Sequence, residues 1–325
     1  MVNPGARLGL CVLLALGLGC ASARTKKLEA TYGPTESVVE VVAVLRRHVP
    51  DDTYRFPPAT DFTGRNVYRS SLLRLETLER IQADPLRSGY MDPVIDFAKG
   101  RALERLRAYD LARLHYLRAA ERESELREAA QQSALLCGQV DQAVAIGIQM
   151  KNPLHPPAPD ADQPPEDPEK MVAQLEERVA LLSLIYDESE GSYFQAVIAE
   201  EVERADEIRA DWFVDRRSIL PDGQLRAVAE LQRVISRHPA SKNRLRHFIA
   251  LANLYASLAR EYVEASPPES LDFDPAEFQD LIEPAAELYE TVAAHDGTAE
   301  KLEAARRLEA LLAFTLQVDG DRFSP

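Results

Sequence analysis

Apolar residues recur every three or four positions along most of this chain, and that spacing predicts α-helices with one buried face. No stretch alternates convincingly between apolar and polar residues, so no β-sheet is expected. We therefore predict an all-α fold. The most regular of the predicted helices lie near Thr35–His48, Asn66–Gln82, Glu169–Asp187, Ser192–Arg216 and Thr298–Leu316.

Breaks in the helical pattern mark the predicted turns. Asp92 and Pro93 are expected to start a helix, because Asp caps helices and proline suits the first helical position. Residues 138–141 (GQVD) are predicted to form a turn between a helix at 125–136 and a shorter helix after it. Residues 220–223 (LPDG) are predicted to separate two further helices.

A proline-rich segment divides the chain. Residues 152–169 (NPLHPPAPDADQPPEDPE) contain seven prolines among acidic residues, and this composition favours an extended, solvated linker or loop. We therefore predict a helical region at 34–151, the loop at 152–169, and a second helical region at 170–325. The pattern is compatible with one continuous body or with two domains.

The first residues predict export. An apolar run at 8–19 follows Arg7 and is shorter than the roughly 20 residues of a membrane span, so it is typical of a cleaved signal peptide at 1–19. Cys20 follows directly and resembles the lipidated first residue of bacterial lipoproteins, with 20–33 as a tether. Cleavage after Ala23 is the alternative, and it would release a soluble periplasmic protein.

Composition excludes some classes of partner. The formal net charge is −15, which argues against nucleic acid and anionic lipid, because both are bound through basic surfaces. The membrane is therefore expected to be reached only through the lipid anchor. Outside the leader and Cys20, the remaining cysteine is Cys137 in an apolar run. We predict a small core residue there, and no disulfide framework.

Residues 96–124 predict two helices packed closely together. Small and large apolar residues alternate there at the spacing of a helical hairpin; they are Gly100, Leu103, Tyr109, Ala112, Tyr116 and Ala119. This arrangement resembles the tetratricopeptide repeat, a helix–turn–helix unit of about 34 residues.

Similar patterns occur at 227–239, 251–265 and 285–292, but their alanines at 112, 227 and 285 are 115 and 58 residues apart (227−112; 285−227). Because these separations are not multiples of the repeat length, we predict an irregular α-solenoid of tetratricopeptide-like hairpins.

The resemblance implies a function in binding. Helical repeats of this kind present a concave surface to a partner, and the class includes bacterial envelope lipoproteins that act as adaptors. We therefore predict a non-catalytic scaffold, anchored in the outer membrane and facing the periplasm, that binds a protein partner of the cell envelope. The residues that the resemblance places on the concave side are Arg101, Glu104, Arg105, Arg246 and Asn253. Alternatively, these five residues are ordinary solvated positions of amphipathic helices.

The sequence predicts no catalytic, cofactor-binding or metal site. The six histidines form no H-E-x-x-H or H-x-x-x-H motif, and no glycine-rich phosphate loop is present. Glu123 and Ser124 resemble the Glu-Ser signature of lytic transglycosylases, but the glycine-rich segment expected after it is missing. A helical protein that binds or remodels a cell-wall glycan remains the alternative function.

Overall fold

The computed structural model describes residues 33–54, 66–88, 90–122, 124–147 and 167–322. In these residues it contains twelve α-helices and no β-strand, so the predicted all-α class is confirmed. Cys20 and the signal peptide, Glu123, and 152–166 of the proline-rich loop lie outside the described part of the chain.

The helices follow one another through short connections wherever the connection is described. They are α1 (Pro34–Tyr54), α2 (Val67–Ile81), α3 (Ala83–Ser88), α4 (Asp92–Arg105), α5 (Tyr109–Ala120), α6 (Arg127–Val144), α7 (Pro168–Glu188), α8 (Phe194–Arg216), α9 (Gly223–Arg237), α10 (Arg244–Ala265), α11 (Pro275–Ala293) and α12 (Ala299–Arg322).

Local chemistry explains several of the helix starts. Asn66 Oδ1 accepts hydrogen bonds from the backbone N–H groups of Tyr68, at 2.9 Å, and Arg69, and so caps α2. α4 begins where predicted, with proline in its first turn, but Asp92 does not cap it. Asp92 is itself the first helical residue, and its carboxylate pairs with Arg122 at 3.1 Å.

The predicted turn at 138–141 is wrong, because α6 is one continuous helix from Arg127 to Val144. Its buried residues recur at helical spacing on both sides of Gly138; they are Ala130, Ser133, Ala134, Cys137, Val140 and Ala143. A mid-helix glycine costs roughly 1 kcal/mol relative to alanine. The burial of this continuous face outweighs that cost, and Cys137 lies in the core as expected.

From α4 to α12 each helix packs chiefly against its neighbours in the chain, whereas α2 packs against both α1 and α4. Packing also joins helices on the two sides of the proline-rich loop. One hydrophobic core joins Tyr109 and Tyr116 of α5 to Leu182 of α7 and Phe194 of α8. Residues from before and after 152–166 therefore share a core. Within the described helices, none combines the length and the apolar character needed to cross a membrane.

Candidate functional site

An open groove between α1 and α4 has a volume of about 640 Å³. Its walls are apolar side chains of both helices, with Leu126 beyond α5; they are Val42, Leu45, Val49, Pro93, Val94, Phe97 and Ala98. Cavities of this size are within the range that binds ligands. The groove is therefore the candidate binding site.

The rim of the groove carries an aromatic side chain in an unusual backbone conformation. Tyr90 is 85% exposed and lines the groove, and its φ of 55° is rare for a residue other than glycine. Backbone strain of this kind often persists at binding sites. An exposed tyrosine at a groove edge offers both apolar contact and a hydroxyl to a partner.

Polar groups converge at the inner side of the groove. Arg101 lines it, and its guanidinium carbon lies 3.5 Å from the ring centroid of Tyr193, which is a cation–π contact. Arg46 and Glu125 are exposed in the same lining. The Ser124 hydroxyl is buried there and has no hydrogen-bond partner among the described residues.

Glu104 lies directly behind Arg101 and is inaccessible from the groove. Its side chain is fully buried, and its carboxylate accepts hydrogen bonds from Tyr116 at 2.7 Å and Tyr193 at 2.6 Å. The nearest Arg101 nitrogen is 3.4 Å away. Burial raises the pKa of Glu104, and the charge of Arg101 opposes that shift only in part. Glu104 therefore positions Arg101 and the two tyrosines, and its expected place on an open concave face is wrong.

The other predicted binding residues do not join Arg101. The Arg105 side chain is almost fully buried and pairs with Glu200 of α8 at 3.2 Å. Arg246 is exposed on α10. Asn253, on the same helix, accepts hydrogen bonds from Tyr289 at 2.7 Å and from Arg307. The structure therefore brings one of the five predicted residues, Arg101, into the groove.

A buried ion-pair cluster on α8 was not anticipated from the sequence. Glu201 accepts two hydrogen bonds of 2.7 Å from Arg107, one of 2.8 Å from Tyr109 and one of 2.6 Å from Arg204. Burial alone would raise the pKa of Glu201. The hydrogen bonds from Arg107 and the positive charges of Arg107 and Arg204 outweigh that effect and lower the pKa to about 2.

The Glu201 cluster stabilises a strained backbone conformation in the link between α4 and α5. Arg107 lies in the three-residue link between α4 and α5 and has a φ of 62°. Its two parallel hydrogen bonds to Glu201 are the strong, charge-assisted type. They tie the first helical region to the second across 94 sequence positions.

A second acidic cluster follows further along α8. The Asp206 carboxylate is fully buried and contacts Arg233 at 2.6 Å, Arg237 at 2.9 Å and His238 at 2.9 Å. Burial would raise the pKa of Asp206, but the hydrogen bond from His238 and the two arginine charges lower it. α9 is thus joined to α8 by charge as well as by apolar packing.

No protein-family model matches this chain, and no curated protein shows significant sequence similarity to it.

Proposed function

We propose that this protein is a non-catalytic adaptor of the bacterial cell envelope, in which the groove between α1 and α4 binds a segment of a protein partner. The groove is the observation that carries the proposal: it is apolar, open, and bounded by two helices. An amphipathic segment that lays its apolar face into such a groove is a common mode of peptide recognition.

The architecture supports a binding role. Helices that pack mainly on their neighbours in the chain are typical of an irregular α-solenoid. The positions that resemble tetratricopeptide repeats are helix contacts: a Cβ at Gly100 would lie 2.7 Å from Tyr116, and Ala112, Ala227 and Ala285 are fully buried. We therefore propose tetratricopeptide-like hairpins as the scaffold that supports the groove.

The charges of the groove indicate the chemistry of its occupant. Two guanidinium groups, Arg46 and Arg101, and one carboxylate, Glu125, line it, whereas the whole chain carries a net charge of −15. A cationic groove in an acidic protein complements a partner segment with apolar side chains and at least one carboxylate.

The sequence of residues 1–20 supports a location in the cell envelope. We propose that Cys20 is lipidated and anchors the protein in the outer membrane, facing the periplasm, with a soluble periplasmic form as the alternative. An anchor of this kind would hold the groove close to membrane-associated partners and raise their effective concentration.

Selection of peptides from a random library displayed on phage tests the binding proposal directly. The purified protein serves as bait, and the affinity of the selected peptides is measured by fluorescence anisotropy. We expect peptides with apolar residues and a carboxylate. Arg46→Glu should weaken their binding, because it places a negative charge beside that carboxylate.

Two further variants complete the design. Val94→Glu places a charge on the apolar wall and should abolish binding. Val39→Glu is the matched control, because Val39 is exposed on α1 outside the groove and its substitution should leave affinity unchanged. The proposal is refuted if the selected peptides have the same affinity for both groove variants as for the unmodified protein. If soluble peptidoglycan fragments bind the groove and the library yields no binding peptide, the glycan-binding alternative is favoured.

A further inference from the structure

We propose that Glu203 and Glu207 of α8, together with His247 of α10, form a binding site for a divalent transition-metal ion such as Zn²⁺. Each of the three side chains offers one donor atom, and these atoms all lie within 4.8 Å of one another. Zinc binds carboxylate oxygen and imidazole nitrogen at roughly 2.0–2.2 Å. The two carboxylates face different ring nitrogens of His247, so an ion bound at one nitrogen requires the carboxylate at the other nitrogen to rotate towards it.

The fold brings the donors together from two helices. Glu203 and Glu207 are four positions apart on α8, so they project from the same face of that helix. His247 lies in the first turn of α10, and α9 connects the two helices. His247 Nε2 is 2.7 Å from a Glu203 oxygen, and Nδ1 is 3.5 Å from a Glu207 oxygen.

Groups behind the donors hold part of the site in place. The same Glu203 oxygen that faces His247 also accepts a hydrogen bond from the Ser241 hydroxyl and one of 3.3 Å from the Asn243 amide. Hydrogen bonds of this kind orient metal-binding carboxylates and contribute to metal affinity. Ser241 and Asn243 belong to the loop before α10, so the loop and the helix are positioned together.

The site is partly buried and partly open to solvent. Glu203 and His247 are buried, whereas the Glu207 side chain is one-third exposed and leaves one side of the site open. The nearby cations Arg204 and Lys242 pair with Glu201 and Glu200. Arg246, which precedes His247 and is exposed, adds a positive charge near Glu207. One imidazole with two carboxylates suits zinc or a similar transition metal better than Mg²⁺ or Ca²⁺, which prefer all-oxygen sites.

Calorimetric titration of the purified full-length protein with ZnCl₂, after chelator treatment and dialysis, tests the site. We expect one tight ion per chain, and a higher thermal unfolding midpoint in the presence of zinc. Removal of a group that only orients a metal ligand weakens metal binding by about 10–100-fold. Glu207→Gln removes a proposed ligand, so it should weaken zinc binding by at least about tenfold. His247→Gln should have the same effect.

Asp215→Asn is the matched control, because Asp215 is an exposed acidic residue on α8 outside the three-residue site. It should bind zinc like the unmodified protein. Circular dichroism checks that Glu207→Gln, at a partly exposed position, keeps the helical fold. The proposal is overturned if the unmodified protein binds no zinc, if Glu207→Gln binds it equally well, or if Mg²⁺ binds with the same affinity. Each of those results would leave His247 as an imidazole hydrogen-bonded to two carboxylates.

Discussion

Substitution of Gly100 by alanine tests how closely α4 and α5 approach each other. Gly100 lies inside α4, and a Cβ added there would stand 2.7 Å from Tyr116 Cε1 and 2.8 Å from Cδ1. Both distances are shorter than any ordinary carbon–carbon contact. The Tyr116 ring is fully buried, and its hydroxyl is bonded to Glu104. Relief of the clash therefore requires the ring or the helix to move.

The sign of the effect depends on two opposing terms. Alanine is the better helix former and would stabilise α4 by roughly 1 kcal/mol. Overpacking of a filled core costs about 1–3 kcal/mol. A shifted Tyr116 also weakens a hydrogen bond to a buried carboxylate, and bonds to charged groups contribute about 1.5–3 kcal/mol. The unfavourable terms are larger, so Gly100→Ala should lower the free energy of unfolding by about 1–3 kcal/mol.

Urea unfolding followed by circular dichroism measures the change, with Gly138→Ala as the matched control. Gly138 is also a mid-helix glycine, but its added Cβ would meet only the Arg113 side chain, at 3.3 Å. Arg113 is exposed and can move, so this variant should gain up to roughly 1 kcal/mol. If Gly100→Ala raised the unfolding midpoint as Gly138→Ala does, the close packing of α4 on α5 would be disproved.

Four further predictions concern the whole chain. A protease cut within 152–166 should leave two fragments that elute together on gel filtration, because they share a core; separate elution would contradict this. The pKa of Glu201 is lowered in the fold, so its stabilisation of about 3 kcal/mol should be present above pH 4.5 and lost as the pH falls towards 2; the stability difference between the unmodified protein and Glu201→Gln should shrink over that range in urea titrations. The pKa of Glu104 is raised, so Glu104→Gln should gain relative stability as the pH rises above 4.5; a falling relative stability would contradict that reasoning. Cys20→Ser should move the protein from the membrane fraction to the soluble fraction and abolish labelling by a fatty-acid analogue; an unlabelled parent protein that begins at Arg24 would favour cleavage after Ala23.

Helical spacing of apolar residues is sufficient to predict the class of fold and most helix positions. The prediction is accurate for α7, which is predicted at Glu169–Asp187 and observed at Pro168–Glu188. The buried residues of that helix recur at helical spacing along one face. The prediction fails at 138–141, where a single glycine suggests a turn. Local propensity is a weak guide there, because tertiary packing on both sides of the glycine decides the conformation.

The buried charge clusters on α8 are harder to predict, because their geometry depends on pairs that are distant in the chain. An amphipathic interpretation of α8 places Glu201, Glu203 and Asp206 on the solvent side. The structure buries all three, since Arg107, His247 and Arg233 reach them from other parts of the fold. A signal is nevertheless present: an unusually acidic helix is flanked in the chain by many arginines. The pairing of those charges requires the three-dimensional structure.

The core shared across the proline-rich loop has a consequence for the order in which the chain folds. When residues 1–147 have left the ribosome or a translocation channel, Tyr109 still lacks its Glu201 partner, which lies 92 positions further on. The entropy of closing a loop of that length must be lost before those contacts form. Local hairpins can form early, but we expect completion of the first half to wait for the second. The time needed for residues 148–201 to emerge therefore sets how long the first half remains incomplete and exposed to aggregation.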